Sequence, residues 1–118
     1  MATILVTDDE QDIRSLYEKE LLAEGYRVLL AENGDEALKI VRSEPVDLVV
    51  LDIRMAGKDG LETLREILSE KRHTKVILNT AYDHFKDDFS SWAADAYLVK
   101  SSNLDELKKK IAALLGDA

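Results

Sequence analysis

A chain of 118 residues, 46% hydrophobic and 34% charged, has the balance of one ordinary globular domain spanning 1–118, large enough to build a core without staples. The absence of cysteine excludes disulfide frameworks, thiolate chemistry and cysteine metal sites. A net charge of −8 argues against direct nucleic-acid contact, because phosphate neutralisation needs an excess of Lys and Arg.

The N-terminus does not read as a secretory signal, and no apolar stretch is long enough to cross a bilayer. The expected setting is the cytoplasm, with no membrane partner. Residues 4–7 form a first β-rich apolar run, followed by Asp8, Asp9 and Glu10. A helix follows, with Ile13, Leu16, Tyr17 and Leu21 on one face, and Gly25 stops it. Residues 27–31 form the second strand, and Gly34 opens the turn into a helix buried through Ala37, Leu38 and Val41. The third strand, 47–51, ends at Asp52, and Leu61, Leu64, Ile67 and Leu68 mark the next helix. The fourth strand, 75–79, leads into Thr80, and Phe85, Phe89 and Trp92 share a fourth helical face. The fifth strand, 96–99, leads into Lys100. The last helix carries Leu104, Leu107, Ile111, Leu114 and Leu115, with Asn103 as its N-cap and Lys108, Lys109 and Lys110 on a solvated face.

Five βα units in succession predict an α/β fold: a doubly wound, flavodoxin-like (βα)5 sandwich with a five-stranded parallel sheet in the order 2-1-3-4-5. In such sheets ligands bind beyond the carboxyl ends of the strands. Four of the five strands deliver a carboxylate, a hydroxyl or an ammonium to that rim. An aspartate at a strand end is by itself an ordinary turn former, and a lone lysine is ordinarily solvated. The combination says more. Three carboxylates close together repel one another and suit a hard divalent cation, while a hydroxyl and an ammonium opposite suit a phosphoryl group. Asp52, next to the first strand, is central and is the candidate nucleophile.

These pieces, namely Ile4-Leu5-Val6-Thr7-Asp8-Asp9-Glu10, Leu51-Asp52-Ile53-Arg54-Met55, Asp59-Gly60, Thr80-Ala81 and Ala94-Asp95-Ala96-Tyr97-Leu98-Val99-Lys100, resemble the receiver domains of two-component response regulators over essentially the whole chain. The resemblance implies that Asp52 accepts a phosphoryl group from a sensor histidine kinase or a histidine phosphotransfer protein. It implies Mg2+ held by Asp9, by Asp8 directly or through water, by Asp52, and by the backbone carbonyl of Arg54. Thr80 and Lys100 would then engage phosphoryl oxygens, and Tyr97 would be the switch aromatic. The output would be a shift in the face formed by the fourth helix, fifth strand and fifth helix, read by a downstream effector protein or domain or by homodimerisation on phosphorylation.

Three positions depart from the family pattern. Ser101 stands where proline commonly follows the lysine, so the Lys100–Ser101 bond is either cis, at a cost of about 3–4 kcal/mol, or trans with a different approach of Lys100. Ala56 and Ala93 replace a common proline and glycine. Tyr82, with Arg54, flanks the site and would influence phosphoryl lifetime. His73 and His84 lack the spacing of ligands. Two other functions compete. A Mg2+-dependent aspartyl-nucleophile phosphohydrolase would carry an aspartate where Arg54 stands. A receiver-like binding module that takes no phosphate would lack an acidic residue or the lysine, and none is missing. The sequence leaves open a stand-alone regulator, a shuttle, or a domain of a larger transcription factor or hybrid kinase.

Overall fold

Runs of Val, Ile and Leu that sit as strands buried on both faces give the centre of this molecule. The computed structural model describes residues 1–55, 59–81, 93–101 and 103–116. In chain order the elements are β1 (Thr3–Thr7), α1 (Gln11–Ala23), β2 (Arg27–Ala31), α2 (Gly34–Ser43), β3 (Leu48–Leu51), α3 (Gly60–Glu70), β4 (Lys75–Thr80), β5 (Ala96–Val99) and α4 (Asp105–Leu115), the last being the fifth helix expected from sequence. The expected fourth helical face of Phe85, Phe89 and Trp92, together with Tyr82, His84 and Ala56, lies outside the described residues.

All four strand pairings are parallel, in the order β2-β1-β3-β4-β5. The expected doubly wound fold is thus the observed one. Strand alternation sends Leu5, Val49, Leu51, Val76 and Leu78 to one face, where they pack with Ala37, Leu38 and Val41 of α2 and Leu64 and Ile67 of α3. Ile4, Val6, Leu48, Val50, Ile77 and Leu98 go to the other face, against Tyr17 and Leu21 of α1 and Leu107 and Ile111 of α4. Each full burial of such a side chain contributes about 1.5–3 kcal/mol. The three central strands therefore form a stiff frame, and residues at their carboxyl ends inherit its positions.

Helix ends follow local chemistry. Asn33 accepts from Glu36 N at 2.8 Å and Asp59 from Glu62 N at 2.8 Å, which caps α2 and α3. Gly25, at φ +92°, ends α1 by donating to Leu22 O at 3.0 Å while Tyr26 N donates to Leu21 O at 3.3 Å, the paired closure that a left-handed residue permits.

Some expectations shift. Strand β1 begins at Thr3, β3 begins at Leu48, and Thr80 is the last residue of β4 rather than the first after it. Gly34 is the first residue of α2, and Asn33 makes the turn. Asn103 accepts from Asp105 N at 2.9 Å but lies one residue before Leu104, the N-cap of α4. Leu16 is 40% exposed: the buried stripe of α1 is the narrow pair Tyr17 and Leu21, and one residue of helical rotation turns Leu16 outward.

Candidate phosphoacceptor site

The register of the central strands builds the site. Val6 pairs with Val50 and Thr7 with Leu51, so β1 and β3 end at the same level. Asp52 N donates to Thr7 O at 3.0 Å and Asp8 N donates to Ala31 O at 3.1 Å, which carries the ladder one step past the strands. On the far side Lys100 N donates to Thr80 O at 2.7 Å. Asp8 and Asp52 are buried, at 2% and 5% exposure.

The ammonium of Lys100 joins them. Its Nζ lies 2.6 Å from Asp8 Oδ2 and donates to Asp52 Oδ2 at 3.1 Å. No peptide bond among the described residues is cis, so Lys100–Ser101 is trans, and Lys100 still reaches both carboxylates. Burial pushes the Asp52 carboxyl above the usual carboxylate range; the Lys100 charge opposes this and the Asp8 charge adds to it. Burial works against the Lys100 charge, but the hydrogen bond to Asp8 and the charges of Asp52 and Asp8 outweigh it and hold the ammonium above its ordinary value. Lys100 is therefore the resident counter-charge of two desolvated carboxylates.

The carboxylates of Asp8, Asp9 and Glu10 bring one oxygen each to within 4.8 Å of one another. Asp8 is buried, while Asp9 and Glu10 are exposed. This is an all-oxygen donor set open to water on one side, and it fits Mg2+, a hard cation that keeps several waters. Arg54 donates its backbone N–H to Asp52 Oδ1 at 3.3 Å, and its side chain is exposed.

Thr80 is fully buried. By strand alternation it belongs to the face of Leu78, where Tyr97, half-buried on β5, packs against the α2–α3 cluster. Asn79 belongs to the opposite face, and its Nδ2 donates to the buried Tyr17 hydroxyl at 2.7 Å. Burial raises the Tyr17 phenol, partly offset by Asn79.

Sequence reasoning passed over three features. Arg14 Nη1 donates to the Asp8 carbonyl at 2.7 Å; its only signal is a position one turn inside α1. Gly60 brings the start of α3 against the backbone of Asp52, and its N donates to Ile53 O at 2.8 Å. Tyr17, on the apolar face that the spacing predicts for α1, is half of a buried polar pair.

The model of the response regulator receiver domain matches residues 4–112. The chain belongs to this family. It is similar to the response regulator protein TrrA from Thermotoga maritima, solved in complex with Mg2+-BeF, at 55% identity and a TM-score of 0.94 over 97% of this chain and 99% of that one. A second structure, of histidine kinase ThkA in complex with TrrA, matches at 56% identity and a TM-score of 0.92 over 98% of this chain and 99% of that one. Among longer proteins, the chain is similar to the transcriptional regulatory protein ZraR of Klebsiella oxytoca, 41% identical over 95% of this chain and 26% of that protein. The alkaline phosphatase synthesis transcriptional regulatory protein PhoP of Bacillus subtilis is 34% identical over 95% of this chain and 48% of that protein. The receiver domain spans about half or less of the length of these regulators. No helix among the described residues is long and apolar enough to cross a membrane.

Proposed function

We propose that Asp52 is the phosphoryl acceptor of this receiver domain and that Mg2+ is held there by Asp8, Asp9, Asp52 itself and the Arg54 carbonyl. One observation carries the reading: two buried aspartates from adjacent strands share one ammonium, with Lys100 Nζ at 2.6 Å from Asp8 and 3.1 Å from Asp52. Such a pair of carboxylates is stable only with cations beside it, and phosphoryl transfer needs those same cations.

A carboxylate oxygen of Asp52 attacks the phosphorus of a phosphohistidine donor. The new O–P bond forms as the P–N bond breaks, and the imidazole nitrogen leaves with the electron pair and takes a proton from solvent. Bound Mg2+ would neutralise charge on the phosphoryl oxygens. Lys100 would exchange its hold on Asp8 and Asp52 for a phosphoryl oxygen, and Thr80 would bond another. With Thr80 drawn toward the phosphoryl group, Tyr97 on the same sheet face would repack. The result is a population shift rather than turnover, with phosphorylation and dephosphorylation of its own Asp52 as the only chemistry.

The kinship with TrrA, solved with Mg2+-BeF and separately with a histidine kinase, supports a kinase or phosphotransfer protein as donor. The kinship with transcriptional regulators supports a downstream effector, with residues 1–118 as one receiver domain in the cytoplasm. Acetyl phosphate with Mg2+ should add one phosphoryl mass to the wild type and none to Asp52→Asn. Equal labelling of the variant would remove Asp52 from the role. Arg54, in place of the second aspartate of a hydrolase, speaks against the phosphohydrolase reading.

A further inference from the structure

We infer that Arg14 is a positioning residue for the cation site, acting by clamping the backbone of Asp8; this rests on the proposed Mg2+-dependent chemistry at Asp52. The loop between β1 and α1 carries the whole acidic group, yet α1 starts without a side-chain cap on Glu10. A loop of three carboxylates with oxygens within 4.8 Å of one another repels itself, so something must hold it in place.

Every polar atom of Asp8 is engaged. Its N–H donates to Ala31 O at 3.1 Å, Oδ1 accepts from Glu10 N at 3.0 Å, Oδ2 lies 2.6 Å from Lys100 Nζ, and its carbonyl accepts from Arg14 Nη1 at 2.7 Å. Three of these bonds come from backbone neighbours or from the cation that must move when the site fills. The fourth comes from a side chain one turn into α1 and is made to the Asp8 carbonyl rather than to its carboxylate. The Arg14 side chain is 14% exposed, and its other nitrogen, Nη2, lies 3.9 Å from Glu32 Oε2 at the end of β2. The guanidinium thus ties the Asp8 peptide to α1, and its ion pair to the exposed Glu32 adds little. Its bond is made to a carbonyl, so it persists whether Asp8 faces Lys100 or a metal.

Coulomb's law alone predicts the opposite role. A guanidinium near a divalent cation repels it, so removing that charge should tighten Mg2+ binding. Clamping predicts weaker binding, because the acidic loop must then be ordered at the moment of capture. The sign of the change separates the two.

The experiment is calorimetric titration of the full chain with MgCl2, for wild type, Arg14→Gln, Arg14→Lys, and Arg27→Gln. The last is a charge-matched control at the opposite end of β2, paired with Glu44. Arg14→Gln should weaken Mg2+ binding roughly tenfold. Arg14→Lys, which keeps the charge and loses the fork, should weaken it in the same direction, and Arg27→Gln should leave it unchanged. At saturating Mg2+ the rate of Asp52 phosphorylation by acetyl phosphate should return to the wild-type value. Amide exchange at Asp8 and Glu10 in EDTA should rise in the Arg14 variants only. Where Arg14→Gln melts too low to titrate, Arg14→Lys decides. Binding as tight as or tighter than wild type in the Arg14 variants overturns the role of Arg14. A wild type that binds no Mg2+, or is not labelled at Asp52, overturns the phosphoacceptor reading and this inference with it.

Discussion

Lys100 Nζ stands closer to Asp8, at 2.6 Å, than to Asp52, at 3.1 Å. The residue expected to greet the phosphoryl group therefore holds both the expected metal ligand and the expected acceptor. Removing the ammonium leaves two desolvated carboxylates side by side, and a buried pair broken on one side costs about 3–5 kcal/mol. Lys100→Met should lose about 3 kcal/mol of unfolding free energy in EDTA. Mg2+ should recover more of the loss in the variant than it adds to the wild type, since no ammonium then competes for Asp8. Chemical denaturation with and without Mg2+ measures both. Equal Mg2+ increments in the two proteins would remove the competition from the account.

The pH dependence of that pair has two opposite branches. Lys100 is raised in the folded chain, so its contribution is complete below its unfolded value of 10.5 and is lost as pH rises through the folded value. Asp52 is also raised, chiefly by burial. A raised carboxyl binds its proton more tightly when folded, so its ionised form costs stability at neutral pH, and the cost disappears as pH falls through the folded value. Asp52→Asn removes that cost and leaves Lys100 paired with Asp8. The variant should gain about 1 kcal/mol, or roughly 3–6 °C in melting temperature, in EDTA at pH 7. The gain should shrink toward acid pH. A melting temperature at or below wild type would mean that Lys100 fully compensates Asp52.

Gly60 sets a limit of a different kind. A Cβ there would fall onto the Asp52 carbonyl oxygen, 2.6 Å from Ile53 Cα and 2.8 Å from Asp52 C, all backbone atoms of the acceptor strand's end. None of these can move aside as the tip of a side chain can. Gly60→Ala should destabilise the domain by about 2–3 kcal/mol and slow phosphorylation of whatever remains folded, because relief must come by shifting Asp52 or the start of α3. Denaturation and acetyl phosphate labelling test the two halves. A variant with unchanged stability and rate would show that α3 swings clear at no cost.

What was legible in the sequence was whatever lies along the chain next to a strand. Asp8, Asp52, Thr80 and Lys100 follow or end apolar runs, and a doubly wound sheet sends all such residues to one rim, so the fold and the candidate site came together. What was not legible depends on the third dimension. Leu16 and Tyr17 are consecutive in the chain and about 100° apart around α1, and only packing against the sheet decides that Tyr17 goes in and Leu16 out. Nothing local to Ser101 decides between a cis and a trans bond; the reach of Lys100 to Asp8 satisfies the site with the trans form. Arg14 and Gly60 act through backbone atoms of Asp8 and Asp52, and a residue's effect on another's backbone leaves no periodic trace.

The bond from Asn79 to Tyr17, across 62 residues, likewise depends on the third dimension and yields the last prediction. Both groups are buried, Asn79 at 4% and Tyr17 at 2% exposure, among the apolar side chains between α1, α4 and the sheet. Tyr17→Phe removes one oxygen and leaves the Asn79 amide without this acceptor, at a cost of about 1–3 kcal/mol. Asn79→Leu should cost a similar amount by stranding the phenol. When both partners become apolar, neither is stranded, so Tyr17→Phe/Asn79→Leu should recover most of the loss, with a coupling of about 1–2 kcal/mol in the double-mutant cycle. Denaturation of the four proteins in EDTA supplies the cycle. Additive losses would mean that the two groups do not depend on one another and that each is satisfied elsewhere in solution.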